Sequence, residues 1–405
     1  MTNASSTPPF TGVSPQELRQ AIDVHYDDVV RIRRRIHAHP ELSGHEQQTA
    51  RLVFHTLQHF GLKPRYFVDK TGVAATVSNA GGPTVVLRAD IDALPVQERN
   101  ELSYRSTVPG VMHACGHDMH TAALLGAAAV IHSLRRKLKG SVVFLFQPSE
   151  EVEPGGAVKM IAEGAFPRDA DAVYGLHVST DHRTGQVGIR AGEDCSGVLT
   201  FDVTVKGKGG HGAMPEKTVD PIVCASSMVM ELQRLISREC PPFEPAVLTV
   251  GTFHSGTKRN IIPDEATFQG TIRTFSNDIQ AMIRRRVREV CRALATSFRA
   301  RVELSFQESY PPGYNDPGAA DRAKERLVRY LGPRRVVHRA QPSMFAEDFA
   351  YYLKKCPGSY LHLGVRKGRN ANVPGIHSAG FVPDEEALRT AILVHCVMAP
   401  GIGDP

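Results

Sequence analysis

Through the first half of the chain, short apolar runs stop abruptly at polar residues: 84–88 ahead of Asp90, 141–147 ahead of Glu150, and 172–176 ahead of His177. Between the first two lies 121–134, too long and too rich in Ala and Leu for a strand. Strands thus alternate with a helix, which predicts an α/β domain with a doubly wound sheet, parallel across that helix and mixed overall. Further upstream, Ser14 as N-cap, Pro15 at the first helical position and Glu17 three residues after the cap open a helix running towards His39. Its Arg31 and Arg33, Arg34 and Arg35 read as a solvated face.

Near residue 196 the period changes, with Leu199, Phe201, Val203 and Val205 alternating with Thr200, Asp202, Thr204 and Lys206. A helix over 220–237 follows, then strands at 246–253 and 265–275. Next comes a helix with Ile279, Ile283, Val287, Val290, Leu294 and Phe298 on one stripe, and a last strand over 301–306. That β-α-β-β-α-β order is ferredoxin-like. The arginines at 284, 285, 286, 288 and 292 fall off the stripe, as a solvated face would. After Tyr310-Pro311-Pro312 the α/β texture returns, with a helix over 319–330, a strand over 360–363 and a terminal helix past Pro383. The expected division is therefore 1–195 and 309–405 as one catalytic domain, with an α+β domain at 196–308 inserted into it.

Composition narrows the function classes. At about 150 residues per domain, 405 residues with 41% hydrophobic and 22% charged side chains are enough for more than one core and typical of a globular protein. The net charge, 48 − 42 = +6, is not gathered with aromatics into a stripe, which argues against nucleic acid as a partner. Met1 to Phe10 is polar and Pro-rich, and no apolar run approaches the roughly 18 residues a membrane span needs, so neither export nor a membrane is expected. Seven cysteines, at 115, 195, 224, 240, 291, 356 and 396, include no C-x-x-C. That spacing fits a reducing cytoplasm better than a disulfide framework.

The chemistry concentrates at the predicted strand ends, where open α/β sheets bind ligands. His113-Ala114-Cys115-Gly116-His117-Asp118-Met119-His120 offers a thiol and an imidazole two residues apart, able to reach one metal or two adjacent ones. The same residues would also suit a buried structural Cys and a helix start. Glu150 and Glu151, adjacent at a strand end, diverge, so that one can bind a metal while the other takes a proton from water. His177 ends another strand, whereas His377 has no local argument of its own. Cys115 as a nucleophile with His117 as its base is a poorer reading, because an i,i+2 pair meets badly and Glu150, Glu151 and His377 stay unexplained.

Taken in order, these motifs resemble the M20 metallopeptidase family, in its amidohydrolase branch of hippurate hydrolases, N-acyl-amino-acid deacylases and indole-acetyl-amino-acid hydrolases. The resemblance rests on His39-Pro40-Glu41-Leu42, on Arg88-Ala89-Asp90-Ile91-Asp92-Ala93-Leu94-Pro95 and on the 113–120 segment. Gln147-Pro148-Ser149-Glu150-Glu151, Gly207-Lys208-Gly209-Gly210-His211-Gly212-Ala213, Asn260-Ile261-Ile262-Pro263, Ala346-Glu347-Asp348-Phe349 and 377–388 extend it over nearly the whole length.

The resemblance implies two divalent metal ions (Zn, Mn, Co or Ni) on Cys115, His117, Glu151, His177 and His377, with Glu150 as the general base that takes a proton from water, leaving a hydroxide between them, and passes it to the leaving amine. Asp92 matches the carboxylate that orients the site, and Asp90, where other branches carry a His ligand, is expected behind the ligands. Asn260 and Arg273 match substrate contacts, Arg273 as a clamp for a carboxylate, and His211 matches a histidine that stabilises the oxyanion in the partner subunit's site. The implied activity is hydrolysis of N-acyl amino acids to a carboxylic acid and an amino acid by a homodimer or higher homo-oligomer, the inserted domain serving as lid and dimerisation surface. A dipeptidase or carboxypeptidase with the same machinery is the alternative, and a metal-free binder of acyl amino acids is the non-enzymatic one.

Overall fold

In the computed structural model, residues 12–404 are described except Ala80, Arg369, Ala371 and Asn372, so the 1–10 segment lies outside the described residues. The chain divides into two compact units: Met1–Gly192 with Tyr314–Gln341 and Asp348–Pro405, and Glu193–Gly313 with Pro342–Glu347.

The first unit is built on an eight-stranded mixed sheet in the spatial order Arg65–Phe67, Gly72–Ser78, Ser141–Gln147, Thr84–Asp90, Ala172–Arg183, Gly358–Arg366, Val187–Ile189, Val336–His338. Thr84–Asp90 pairs in parallel with Ser141–Gln147 on one side and with Ala172–Arg183 on the other. The winding direction reverses there, and such a switch point opens a crevice at the strands' C-terminal ends. Gly72–Ser78 runs antiparallel to Ser141–Gln147, and Val187–Ile189 antiparallel to Gly358–Arg366, which makes the sheet mixed.

Both faces are covered, as continuous apolar strands require. Val85, Leu87, Val142 and Phe144 point into the larger core, shared with the helices Pro15–Ala38, His117–Ser133 and Ala387–Met398. Val86, Val143, Leu145 and Val173 point into a smaller one with Met160, Phe166, Tyr352 and Tyr360. His117–Ser133 is buried from His117 through Ile131, and a Cβ on Gly126 would stand 2.8 Å from Val29 Cγ2, so only a bare backbone lets the first helix approach this closely.

The opening helix spans Pro15–Ala38, and Ser14 Oγ accepts from Glu17 N at 3.2 Å as its cap. Its arginine run is not uniformly solvated: Arg33 is fully buried and its Nε lies 2.7 Å from Asp118. The run alone hid this because one turn of helix carries neighbouring arginines to opposite faces. A helix at Gln47–His59, not foreseen from the pattern, buries only Thr49, Ala50, Val53 and Leu57. Its cap comes from upstream, the Glu41 carboxylate accepting from the backbone N–H groups of Gln48 (3.2 Å) and Thr49 (2.8 Å).

The second unit carries a four-stranded antiparallel sheet in the order Ala246–Ser255, Glu265–Thr274, Gly197–Lys206, Arg301–Glu308. Its helices Pro221–Arg234 and Asn277–Ser297 share a core of Phe201, Val203, Met228, Leu232, Phe268, Ile283 and Val287. With the β-α-β-β-α-β chain order this is the ferredoxin-like arrangement. Arg284, Arg285 and Arg286 pair at the surface with Glu308, Glu289 and Glu239.

Candidate metal centre

Gly116 makes the first part of the centre possible. It caps the helix His117–Ser133 in the left-handed conformation (φ +89°), and a Cβ there would meet Val178 Cγ2 at 2.5 Å. The backbone therefore turns sharply between Cys115 and His117, bringing a thiol and an imidazole to the sheet edge where Ala172–Arg183 delivers His177. His377 arrives from the other end of the chain, its N–H donating to Ala114 O at 2.8 Å. Both His377 (φ +63°) and Ser149 (φ +56°), the residue before Glu150, hold left-handed conformations that cost non-glycine residues free energy and gather at functional sites.

The side chains meet tightly. Cys115 Sγ lies 3.3 Å from His177 Nε2 and 3.3 Å from His377 Nε2. Glu151 Oε1 lies 3.3 Å from His377 Nε2 and 3.9 Å from His117 Nε2. A Glu150 carboxylate oxygen joins those of His117 and Glu151 within 4.8 Å. The histidines' outer nitrogens are spoken for: His117 Nδ1 donates to Asp92 O (3.0 Å) and Oδ1 (3.2 Å), and His177 Nδ1 donates to Val178 O (2.8 Å). In its neutral form each ring then turns its Nε2 lone pair inward. Burial works against the charge of His117, but Asp90, Asp92 and Glu151 outweigh it and raise its pKa to about 10, so a metal ion there takes the place of a proton. His117 Nε2 and Glu151 Oε1 are buried with no hydrogen-bond partner.

A thiol, three inward imidazole nitrogens and a carboxylate form a donor set of the kind that holds Zn, Mn, Co or Ni. Burial, with Glu151, Glu150 and Asp90 acting the same way, pushes the Cys115 thiol well above its ordinary range, so a thiolate there calls for a cation. The residues fit divalent metal ions, and two overlapping groups, Cys115 with His117 and His177 and Cys115 with Glu151 and His377, each place their donor atoms within 4.8 Å of one another.

Around the donors lies a shell of buried charge. Asp92 Oδ2 accepts from Glu151 N at 2.9 Å and from Ser43 Oγ at 2.7 Å, so one carboxylate orients both His117 and Glu151. Asp90 accepts from His120 Nδ1 (2.6 Å) and Arg88 Nη1 (2.7 Å) and stands 3.8 Å from His117 Nε2. Burial opposes its charge, but His117, His120 and Arg88 hold the carboxyl well below its usual range. His120 uses its other nitrogen to accept from Val178 N at 2.9 Å, which takes it out of the inward-facing set. Arg88 also reaches Gln147 Oε1 (2.9 Å) and Asp348 Oδ1 (2.7 Å), while Arg33 and His37 both grip Asp118. Sequence reading passed over these roles of Arg33, His37, Arg88 and Asp348. The available signal was Arg88 itself, a charge inside an apolar strand, which demands a buried partner.

In the second unit, His211 lies in a short ladder, Gly210–His211 against Ile261–Ile262, and Gly212 N donates to Asn260 O at 3.0 Å, so His211 and Asn260 are neighbours. Ala213 N donates to His211 Nδ1 at 3.0 Å, which leaves Nε2–H as an exposed donor. Arg273 stands on Glu265–Thr274 opposite Val198 and Val247, partly buried.

A switch-point crevice lined by a thiol, imidazoles and paired carboxylates defines a metallohydrolase type of centre. Residues 86–399 match Peptidase family M20/M25/M40, and the chain belongs to that family. It is 39% identical over 378 residues (92% of this chain, 85% of the relative) to the IAA-amino acid hydrolase ILR1-like 2 of Arabidopsis thaliana. To the thermostable carboxypeptidase 2 of Saccharolobus solfataricus it is 35% identical over 387 residues (95% and 98%). The crystal structure of the Bacillus subtilis YXEP protein, described as a dinuclear metal binding peptidase from the M20 family, superposes with a TM-score of 0.80 at 32% identity, covering 93% of this chain and 99% of that one. Among the described residues no helix is long and apolar enough to cross a membrane.

Proposed function

We propose that this protein is a metal-dependent amidohydrolase that splits N-acyl amino acids into a carboxylic acid and a free amino acid. The observation that carries this reading is the convergence of Cys115 Sγ, the inward Nε2 atoms of His117, His177 and His377, and the buried Glu151 Oε1 set against two of those imidazoles, with Glu150 alongside. These five residues would hold two divalent ions, Zn, Mn, Co or Ni, which when bound polarise the scissile carbonyl and lower the pKa of water.

Glu150 accepts a proton from the attacking water as the new C–O bond forms, and returns it to the amide nitrogen as the C–N bond breaks. Asp92 keeps His117 in the tautomer that leaves Nε2 bare and fixes the backbone of Glu151. His211, with Nδ1 occupied by Ala213 N, offers Nε2–H to the developing oxyanion. Asn260, its ladder neighbour, contacts the substrate, and Arg273 clamps the amino-acid carboxylate.

The functional form we propose is a homodimer in which each protomer's His211 serves the other's centre. The exposed Ile222, Val223 and Met230 on Pro221–Arg234 and the sheet-edge strand Ala246–Ser255 support such a surface. A carboxypeptidase or dipeptidase reading is favoured by the similarity to the Saccharolobus carboxypeptidase, and it uses the same residues.

The test is release of free amino acid from N-benzoyl, N-acetyl and indole-acetyl amino acids and from dipeptides by chelated enzyme reloaded with each metal separately. Turnover of acylated amino acids restored by metal is the expected result. Turnover of dipeptides alone would move the assignment to the peptidase reading, and silence across the panel with metal bound would refute both.

A further inference from the structure

The segment Glu41-Leu42-Ser43-Gly44-His45-Glu46 supplies no metal donor and no proton carrier, yet it places three polar side chains against the centre's supports. Glu41 caps the helix Gln47–His59, and Ser43 holds Asp92. Glu46 is fully buried and occupies the N-cap position of that helix, but its side chain makes no cap bond. Its Oε1 instead accepts from Ser149 N at 2.8 Å and from Ser149 Oγ at 3.2 Å, while Oε2 is buried with no hydrogen-bond partner.

Ser149 is where a hold matters. It precedes Glu150 and Glu151 and sits at φ +56°, a left-handed conformation that costs a non-glycine residue free energy. Ser149 O accepts from Gly156 N at 2.9 Å, so the turn is fastened on its other side as well. Among the described residues Glu46 makes no ion pair with a cation; burial and the like-charged Asp92 work against its charge, and backbone N–H groups, its own and those of Gly44 and Ser149, favour it. The feature in use is therefore an oxygen acceptor at full Glu reach, not a negative charge.

We propose that Glu46 is a positioning residue for the Glu150–Glu151 pair: by gripping the N–H and hydroxyl of Ser149 it keeps the turn in its left-handed form and aims one carboxylate at the metal ions and the other at the attacking water. The proposal rests on the assignment of Glu150 and Glu151 made above. It also makes a demand that a general packing or charge role does not. Glu46→Gln keeps an oxygen at the same reach and should behave like the wild type, whereas Glu46→Asp keeps the charge but falls a methylene short.

The experiment measures metal affinity by competition with a chromogenic chelator, kcat and KM separately, and Tm, for Glu46→Gln, Glu46→Asp and Glu46→Leu. Expected for Glu46→Gln is metal affinity and kcat within about threefold of wild type. Glu46→Asp and Glu46→Leu should each lose about ten- to a hundredfold in both, the usual range for a lost support behind a metal ligand, at little-changed KM. Adding Ser149→Gly, which accepts the left-handed turn without help, should return part of the loss. If Glu46→Leu does not fold, the Gln and Asp pair decides. The opposite order, with Asp retaining function and Gln losing it, or equal metal affinity and kcat in all variants with only Tm altered, overturns the proposal. The metal-affinity order needs no substrate, so if the wild type turns over nothing while that order holds, the assigned activity fails and the role of Glu46 stands.

Discussion

The residues assigned to chemistry in the two units are held in opposite ways. In the first unit His117, His177 and Glu151 are backed by buried polar partners, Asp92 behind His117 and Glu151 and Val178 O behind His177, and Arg88 ties Asp90, Gln147 and Asp348 together, while His377 is the exposed member of the set. In the second unit His211 and Asn260 sit exposed on a two-residue ladder, held by little more than backbone hydrogen bonds. Burial explains the difference, since charge taken out of water must be paired throughout, while an exposed donor needs only its tautomer fixed. Variants of the first unit's donors and their buried supports should therefore cost stability and metal, and variants in the second should cost rate alone.

The largest expected effect is on turnover from Glu150→Gln, a fall of about a thousandfold or more with metal content retained, because the proton carrier is removed and the donors remain. Near-normal kcat with full metal would take Glu150 out of the base role. Arg88→Met breaks the shared network and leaves Asp90 and Asp348 buried without their cation. Removing one partner of a buried pair costs about 3–5 kcal/mol, so a Tm depressed by many degrees is expected, and a Tm within a degree or two of wild type would show that the wiring carries no load. His211→Ala should lower kcat by about a hundredfold, the scale of one lost oxyanion donor, with Tm and metal content unchanged. A shifted Tm there would erase the contrast between the units.

A further expected effect is a pH dependence. His395 is buried in the first unit with Nε2 unpartnered, and burial, helped by His120, brings its pKa down to about 3. A depressed folded-state pKa means the unfolded chain binds the proton first. The stabilisation is present above the unfolded value of about 6.5 and is lost as pH falls through that value towards 3. The limiting slope is about 1.4 kcal/mol per pH unit for one such group. Thermal melts of His395→Leu between pH 7 and pH 4 should show a shallower acid limb than wild type, and superimposable limbs would contradict the assignment.

How far the sequence revealed all this follows the same division. Asp90 and Glu150, at and just past strand ends, were legible because apolar runs stop at chemistry-bearing residues, and the 113–120 segment because its ligand types are adjacent, whereas His177, expected to end its strand, lies within Ala172–Arg183. His377 was invisible locally, since its place beside Cys115 depends on contact across more than half the chain. Arg33 and Glu46 were missed for a related reason: each looks like an ordinary charged helix residue until a distant partner, Asp118 or Ser149, is brought against it. The helix Gln47–His59 escaped because four buried positions make a faint stripe and its cap is supplied from Glu41.

The central claim, that these donors form a centre for two metal ions with Cys115 at its heart, is tested most directly by titrating chelated protein with Co(II) while following near-ultraviolet absorbance and bound metal per chain. The account predicts two ions per chain with a thiolate-to-metal charge-transfer band, and loss of that band in Cys115→Ala. Fewer than one ion per chain in the wild type, or saturation without the band, would contradict it.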